Sequence, residues 1–209
     1  RVLVINNLTP AAITESIEAA ARMIGESQMI VLPGGFSGGD EPDGSAKFIN
    51  AFFRSPRMKD AVHELLKTRD GLMLGICNGF QALIKLGLVP YGEIVNINEA
   101  CPTLTFNTIG RHQSMLVRTR VASNMSPWLQ KTRPGDIHTV AISHGEGRFV
   151  AVDGVLERLK LKGQIATQYV DGRVLGKMGH TERAGHDLYK NVEGDRFQPI
   201  FEGGVAYFR

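Results

Sequence analysis

Cys77 stands at the centre of Gly75-Ile-Cys-Asn-Gly79, which follows an apolar run and precedes a helical pattern. A Gly-x-nucleophile-x-Gly spacing at a strand-to-helix junction is typical of a nucleophile elbow, a turn so tight that its central side chain points outward. The start of a helix favours a thiolate, which can attack an amide carbonyl while the N–H of Asn78 points at the developing oxyanion. Most lone cysteines only pack as small hydrophobic residues, but the flanking glycines favour a nucleophile here.

A nucleophilic cysteine needs a base, and the base needs a group that orients it. Three of the six histidines lie in helical or polar stretches, with no neighbouring residue pattern that indicates a catalytic role: His63, His112 and His138. His180 instead follows the strand pattern Arg173–Met178, which predicts a position at the carboxyl edge of a sheet, where sites form in open α/β folds. Glu182 points the same way if the segment stays extended, and it can then hold the imidazole tautomer.

Two glycine-containing loops are candidates for supporting roles. Pro33-Gly-Gly-Phe36 ends another apolar strand pattern, and a glycine N–H there could be a second oxyanion donor beside Asn78. Most Gly-Gly pairs, however, only turn the chain. Ser143-His-Gly-Glu-Gly-Arg148 is polar and could bind the amino and carboxylate groups of an amino acid, or could only reverse the chain. The residues leave both interpretations open.

Strand and helix patterns alternate along the first half of the chain. Continuous apolar runs predict buried strands at Arg1–Ile5, Gln28–Leu32 and Gly71–Ile76. Helical spacing predicts helices after Thr9-Pro10 and at Ala46–Phe53, Met58–Lys67 and Phe80–Leu86. The second half adds strand patterns at Ser114–Thr119, Thr139–Ile142, Arg148–Val152, Gln164–Gln168 and Arg173–Met178. This order predicts one α/β domain spanning residues 1–209, with a mostly parallel central sheet flanked by helices.

Composition excludes several classes of function. The chain has 209 residues, 43% of them hydrophobic, and a net charge of +3 from scattered basic residues, so no nucleic-acid-binding face is indicated. No apolar run approaches the roughly 20 residues that cross a bilayer. Two cysteines without metal-ligand spacing argue against a disulfide scaffold and against structural zinc. A reducing cytoplasm and a site without metal are the expectations.

Taken together, the motifs resemble the class I (triad) glutamine amidotransferases, in which a Gly-x-Cys-x-Gly elbow is paired with a distal His-x-Glu. They are most similar to the glutaminase domain of phosphoribosylformylglycinamidine synthase, an enzyme of purine biosynthesis. The similar motifs are Leu32–Ser37, Gly75–Gln81, His144–Phe149 and Gly172–Arg183. They occur in the order of that family and span most of the chain. The resemblance implies the flavodoxin-like fold of these glutaminases.

The resemblance also implies roles. Cys77 would be the nucleophile, His180 the general base and acid, and Glu182 its orienting partner. The oxyanion donors would be Gly35 and Asn78, and bound glutamine would lie near Gly34, Gln81, Asn107, His144 and Gly145. L-Glutamine would be hydrolysed to glutamate through a cysteine thioester, and the ammonia would pass to a synthetase site. No cofactor is expected in this domain, whereas ATP and Mg²⁺ are expected in the synthetase partner.

Two stretches depart from the family pattern. Relatives carry a further strand before the region resembling Arg1–Ile5, and a longer segment where this chain has Gln168–Gly172. We therefore expect residues to be missing from this sequence at both places. The closing stretch Ile200–Arg209 resembles the tails of long fused synthetases, which favours a glutaminase domain at the C-terminal end of a longer polypeptide.

Three alternatives remain open on the sequence. The first is the glutaminase domain of another synthetase, against which the His-Gly-Glu-Gly-Arg-Phe loop argues. The second is a peptidase or deglycase with an elbow cysteine, although such proteins usually place a histidine where this chain has Asn78. The third is an inactive regulatory module on the same fold, against which the complete set of Cys77, His180 and Glu182 argues.

Overall fold

A computed structural model describes residues 1–37, 40, 44–170, 178–185, 188–189 and 192–209, and they form a mixed α/β structure. The helices are α1 (Pro10–Gly25), α2 (Lys47–Phe53), α3 (Pro56–His63), α4 (Asn78–Leu86), α5 (Leu88–Tyr91), α6 (Val155–Leu161) and α7 (Ile200–Tyr207). The strands are β1 (Met29–Leu32), β2 (Leu72–Gly75), β3 (Thr103–Phe106), β4 (Gln113–Val121), β5 (Ile137–His144), β6 (Glu146–Val150) and β7 (Thr167–Tyr169). Shorter helical turns are Glu64–Thr68, Pro127–Leu129 and Thr181–Arg183.

Helix α1 begins where the sequence predicts it. The Thr9 side chain caps it by accepting a hydrogen bond from the N–H of Ala12 at 3.1 Å, and Pro10 occupies the first position, where no N–H is needed. The apolar residues at helical spacing then face inward, and Ala20 and Ile24 are buried. Local capping and periodicity are therefore sufficient to set this element.

Strands β1 and β2 form a parallel pair, as their continuous apolar sequences predict. Met29 lies opposite Leu72, and Leu32 lies opposite Gly75. Because the strands run in the same direction, both end at one edge of the sheet. That edge carries the loop that begins at Pro33 and the turn that contains Cys77.

The strands of the second half pair antiparallel. β3 pairs with β6, and a second sheet has the order β5-β4-β7. Four of the five strand patterns correspond to β4, β5, β6 and β7, whereas β3 had no prediction. The fifth pattern, Arg173–Met178, lies almost entirely outside the described residues. Since the described strands give one parallel pair and two antiparallel sheets, the mostly parallel central sheet stays a prediction.

The predicted buried strand at Arg1–Ile5 is wrong. The segment forms no strand, and Val2 and Val4 are 91% and 83% exposed. Leu3 and Ile5 do pack against buried core residues, so the apolar pattern correctly indicates one buried face. A strand also needs backbone pairing with a neighbour, which a hydrophobic pattern does not specify.

Two hydrophobic clusters form the core. The first joins helices α1 to α4, through residues that include Ala20, Phe52, Met58, Leu65 and Leu86. The second surrounds β2 and reaches the turn at Trp128 and helix α7, through residues that include Leu74, Ile84, Leu104 and Ile200. Helix α4 contributes to both, so its position is fixed from two sides. No helix in the described ranges is both long enough and apolar enough to span a membrane.

Leu86→Ala should destabilise the protein, because Leu86 is fully buried in the first cluster. We expect the free energy of unfolding to fall by about 2–5 kcal/mol, from lost apolar burial and the cavity that remains. Denaturant unfolding measures this change. Leu161→Ala is the matched control, since Leu161 is 86% exposed and its loss should change stability by less than about 0.5 kcal/mol. Equal effects of the two substitutions would contradict this description of the core.

Candidate active site

Cys77 occupies a strained turn between β2 and α4. Its backbone has φ 52° and ψ −108°, a conformation that L-residues rarely adopt. The flanking glycines are required sterically. A Cβ on Gly79 would lie 2.1 Å from the carbonyl oxygen of Leu32, and one on Gly75 would lie 2.5 Å from that of Gly79. The predicted elbow is therefore formed, and it places Cys77 at the N-terminal end of α4.

His180 and Glu182 form a close pair beside this turn. Nδ1 of His180 lies 2.5 Å from Oε1 of Glu182, and the backbone N–H of His180 donates to the carbonyl of Ala141 in β5 at 2.8 Å. Residues Thr181–Arg183 form a 3₁₀ turn, not the extended segment that the sequence pattern assumed, and the pair forms nevertheless. The histidine is only 3% exposed, so its orientation is fixed by these contacts.

The electrostatics of the pair favour a charged imidazole. The neighbouring Cys77 sulfur and the Glu182 carboxylate together raise the pKa of His180 to about 9 against the opposing effect of burial. Burial disfavours the charged carboxylate of Glu182, yet the hydrogen bond from His180 holds the pKa of Glu182 below its usual value. At neutral pH the arrangement is thus an imidazolium held by a carboxylate beside the Cys77 sulfur.

The other contacts of Cys77 and His180 leave the two groups free to react. The Cys77 thiol donates a long hydrogen bond to the carbonyl of Ser143 at 3.5 Å. Nε2 of His180 is buried and makes no hydrogen bond within the described part of the chain. This nitrogen is the one not engaged by Glu182, which is the arrangement that acid–base exchange with the sulfur and its substrate requires.

Gly34, in the loop that follows β1, lies against the two groups, and Gly35 comes next in this loop. A Cβ on Gly34 would lie 2.6 Å from Cε1 of His180 and 3.1 Å from Cβ of Cys77, so only glycine fits there. Gly35 has φ +104°, which favours glycine for a conformational reason, and it lines the adjacent cavity. The loop therefore brings its backbone close to the nucleophile, as an oxyanion donor requires.

A cavity of about 120 Å³ opens at Cys77 and His180. Its walls come from the loop after β1, the elbow, the end of β3 and the β5–β6 hairpin. Its lining residues include Gly35, Phe36, Ser45, Cys77, Asn78, Gln81, Phe106, His112, Ser143, His144, Gly145, Glu146, His180 and Arg183. Most of these residues carry polar side chains, which can bind the polar groups of a small ligand.

Asn107 fixes the state of His144. The Asn107 amide nitrogen donates to the carbonyls of Arg111 at 3.1 Å and His144 at 2.8 Å, so its oxygen faces Nδ1 of His144 at 3.1 Å. Nδ1 must then carry the proton, and Nε2 becomes an acceptor, buried and without a hydrogen bond in the described residues. Burial, with the nearby His112 and His180, lowers the pKa of His144 to about 4, so the ring is neutral at pH 7.

The predicted substrate residues divide into two groups. Gln81, His144 and Gly145 line the cavity. Asn107 and Gly34 do not line it: Asn107 is hydrogen-bonded to His144, and Gly34 packs against His180 and Cys77. The loop from Ser143 to Arg148 both reverses the chain, as the β5–β6 hairpin, and contributes to the cavity. The amide nitrogen of Gln81 donates to the carbonyl of Glu146 at 2.6 Å and so attaches the hairpin to α4.

Several cavity residues had no signal in the sequence. His112 lines the cavity with its Nε2 2.9 Å from the hydroxyl of Ser143, although its polar neighbourhood suggested no role. Ser45, which lines the cavity, and Lys85 also had no signal, and both contact Glu146 of the predicted Ser143–Arg148 loop. The Lys85 ammonium lies 3.2 Å from the Glu146 carboxylate and 3.0 Å from the Ser45 hydroxyl. Their sequence separations exceed 39 residues, so only the tertiary fold reveals them.

Comparison with known proteins places the chain in a family. A model of the CobB/CobQ-like glutamine amidotransferase domain matches residues 4–171. Phosphoribosylformylglycinamidine synthase subunit PurQ from Nostoc sp. is 32% identical, with 88% of this chain and 82% of that protein covered. The subunit of the same name from Synechococcus elongatus is 33% identical over 79% of this chain and 75% of that protein. The chain belongs to this glutamine amidotransferase family.

A solved structure gives the same family. The structure of PurLQS from Thermotoga maritima matches with a TM-score of 0.63 and 25% identity, covering 87% of this chain and 80% of that one. The resemblance inferred from the four sequence motifs is therefore confirmed. Cys77 and its neighbours lie within the matched region, while His180 and Glu182 follow residue 171, where the family match ends.

Glu182→Gln should lower the pKa of His180, because the substitution removes a carboxylate that stabilises the imidazolium. In the parent protein the folded pKa of about 9 exceeds the unfolded value near 6.5, so the protonated ring stabilises the fold fully below pH 6.5. That stabilisation is lost as the pH rises through about 9. An NMR titration of His180 measures the shift, and Glu157→Gln on exposed α6 is the control. An unchanged His180 titration would show that the carboxylate does not act on the ring.

Gly34→Ala should slow alkylation of Cys77 by iodoacetamide. The added Cβ would lie 2.6 Å from the ring of His180 and 3.1 Å from Cβ of Cys77, and neither group can yield without leaving its position. Separating the imidazolium from the sulfur reduces the thiolate fraction, which sets the alkylation rate. Gly25→Ala is the matched control, since a Cβ at that position would have no neighbouring atom within 4 Å. Equal rates in the two variants would mean that Gly34 does not hold the pair together.

Proposed function

We propose that this chain is a glutaminase that hydrolyses L-glutamine to glutamate and ammonia through a thioester on Cys77. The observation that carries the proposal is the strained turn at Cys77 beside a histidine that is hydrogen-bonded to Glu182 at 2.5 Å. Membership of the glutamine amidotransferase family supports the same chemistry. A thiol, a base and an orienting carboxylate are together the set that nucleophilic amide cleavage needs.

The reaction proceeds in two halves. The Cys77 thiolate attacks the side-chain amide carbon of glutamine, and the His180 imidazolium gives its proton to the departing nitrogen, so that the C–N bond breaks, ammonia leaves and a thioester forms. Water then attacks the thioester while the neutral His180 takes a proton from it, the C–S bond breaks, and glutamate leaves as the thiolate and imidazolium are restored. The backbone N–H groups of Gly35 and Asn78 stabilise the oxyanion in each half, a contribution usually worth about 10²–10³-fold in kcat per donor.

Glutamine binds in the cavity beside Cys77. Gln81, His144 and Gly145 contact it, with Gly34 and Asn107 supporting the site from behind. The buried Nε2 acceptor of His144 suits an N–H donor of the ligand, because a neutral imidazole fixed by Asn107 cannot donate from that atom. An amino-acid amide and its ammonium group both supply such donors.

The ammonia passes to a synthetase that forms phosphoribosylformylglycinamidine in purine biosynthesis. The name of the curated relatives, phosphoribosylformylglycinamidine synthase subunit, supports this destination. The glutaminase itself uses no cofactor or metal, while ATP and Mg²⁺ act in the synthetase partner. We place the enzyme in the cytoplasm, as a single glutaminase domain with the mostly parallel, flavodoxin-like central sheet of its family.

The test is labelling of the complete natural polypeptide with 6-diazo-5-oxonorleucine, an electrophilic mimic of glutamine. We expect an adduct at Cys77, located by peptide mass spectrometry and suppressed by excess glutamine. Cys101 serves as the internal control, because it is a free thiol outside the cavity and should remain unmodified. No adduct at Cys77 in folded protein, with and without the substrates of the synthetase, would reject the glutaminase and favour an inactive module on the same fold.

A further inference from the structure

Asp40 is a buried carboxylate that connects three parts of the cavity wall. It is 3% exposed, and both oxygens accept hydrogen bonds. Oδ2 accepts from the backbone N–H of Ser37 at 2.5 Å and from the side-chain amide of Asn78 at 2.8 Å. Oδ1 accepts from the hydroxyl of Ser37 at 2.7 Å and from the backbone N–H of Lys47 at 3.0 Å.

These contacts join the two segments that carry the oxyanion donors. Ser37 lies two positions after Gly35 in the loop that leaves β1, and Asn78 begins helix α4 directly after Cys77. The pairing of β1 with β2 ends at Leu32 and Gly75, before either donor is reached. The Asp40 carboxylate therefore provides a side-chain link between the segments of Gly35 and Asn78 beyond the end of the sheet.

We propose that Asp40 is a positioning residue, which fixes the separation of the Gly35 and Asn78 N–H groups through its hydrogen bonds to Ser37 and Asn78. This inference rests on the proposed glutaminase reaction. Asp40 does not touch the reacting atoms in this role. Oxyanion stabilisation depends on donors held in place before charge develops, so the link affects the transition state far more than the bound substrate.

A carboxylate suits this position better than an amide. Among the described residues, four donors surround the Asp40 oxygens, and each oxygen faces one backbone N–H, from Ser37 or from Lys47. An asparagine in either amide orientation would direct its own NH₂ group at one of these backbone donors. That donor would then be buried without an acceptor, and the loop would have to move to relieve the contact.

The negative charge next to an oxyanion site is the main objection to this role. An uncompensated carboxylate would oppose the developing charge, because Coulomb interactions are strong in a dry site. Four donors on the Asp40 oxygens compensate the charge locally, through the short hydrogen bonds that ionised acceptors form. Retaining a buried charge here is costly, and the benefit is a link more rigid than neutral partners would give.

The experiment is a steady-state comparison of Asp40→Asn with the parent enzyme, as the full protein with its functional synthetase partner present. We expect kcat for glutamine hydrolysis to fall by roughly 10- to 100-fold, since a misplacement of about 1 Å costs up to about 10²-fold. KM for glutamine should change by less than about threefold, because the donors act mainly in the transition state. Asp60→Asn, the same chemical change on the exposed face of α3, is the control and should retain parent kinetics.

A second measurement separates positioning from general damage. Alkylation of Cys77 by iodoacetamide passes through no oxyanion, so its rate should be the same in Asp40→Asn and in the parent. Ser37→Ala keeps Asp40 but removes the 2.7 Å hydroxyl contact, and should lower kcat by several-fold in the same direction. If Asp40→Asn does not fold, the kcat of Ser37→Ala tests the positioning role of Asp40 instead.

The outcomes are distinct. Reduced kcat with unchanged alkylation establishes the positioning role. Parent kcat in folded Asp40→Asn, or parent kcat in Ser37→Ala where the first variant is unfolded, overturns it. A parallel loss of kcat and alkylation also overturns it, because the effect then lies on the nucleophile. Failure of the parent enzyme to hydrolyse glutamine would reject the proposed function itself, before any variant is considered.

Discussion

The first turn of α4 packs directly on the end of β1, and the rest of the site depends on this close approach. The N–H of Gly79 donates to the carbonyl of Pro33 at 3.2 Å, and the space above Leu32 admits no side chain at Gly79. This contact thereby fixes the position of the Cys77 turn relative to β1 and the path of the loop that follows β1. Both segments follow parallel strands, so they start at the same edge of the sheet. The glycines, which lack side chains, then allow their backbones to come into contact.

Local sequence was sufficient to predict that Cys77, His180 and Glu182 lie at one site. The elbow at Cys77 follows from glycines at fixed offsets between an apolar strand and a helix, all within a few residues. His180 and Glu182 were found through a strand pattern and a two-residue spacing, and they form their pair even though the spacing assumed an extended segment. The Asn78 donor follows from the same local reasoning, whereas Gly35 as the second donor is implied by the family resemblance, and both assignments stay predictions.

Residues that act through the tertiary fold could not be found in this way. Asp40 belongs to no recognisable sequence motif. Its proposed role is apparent only from the hydrogen-bond donors that three separate segments of the chain bring to it. Likewise, the tautomer of His144 follows from an amide 37 positions away. The error at Arg1–Ile5 has the same origin, since an apolar pattern indicates a buried face but not a pairing partner. Sequence therefore predicted which side chains meet at the cavity better than the contacts that hold them.

The three crowded glycines also limit how such a site can change during evolution. At Gly34, Gly75 and Gly79, a Cβ would come within 2.6 Å of the His180 ring or of backbone atoms. Every substitution of glycine adds at least a Cβ, so every single substitution at these positions disturbs the geometry of the site. A lineage that lost this site through one of them would regain it most directly by reversion at the same codon. The geometry of the turn thus makes the loss of the reaction easy and its gradual redesign difficult.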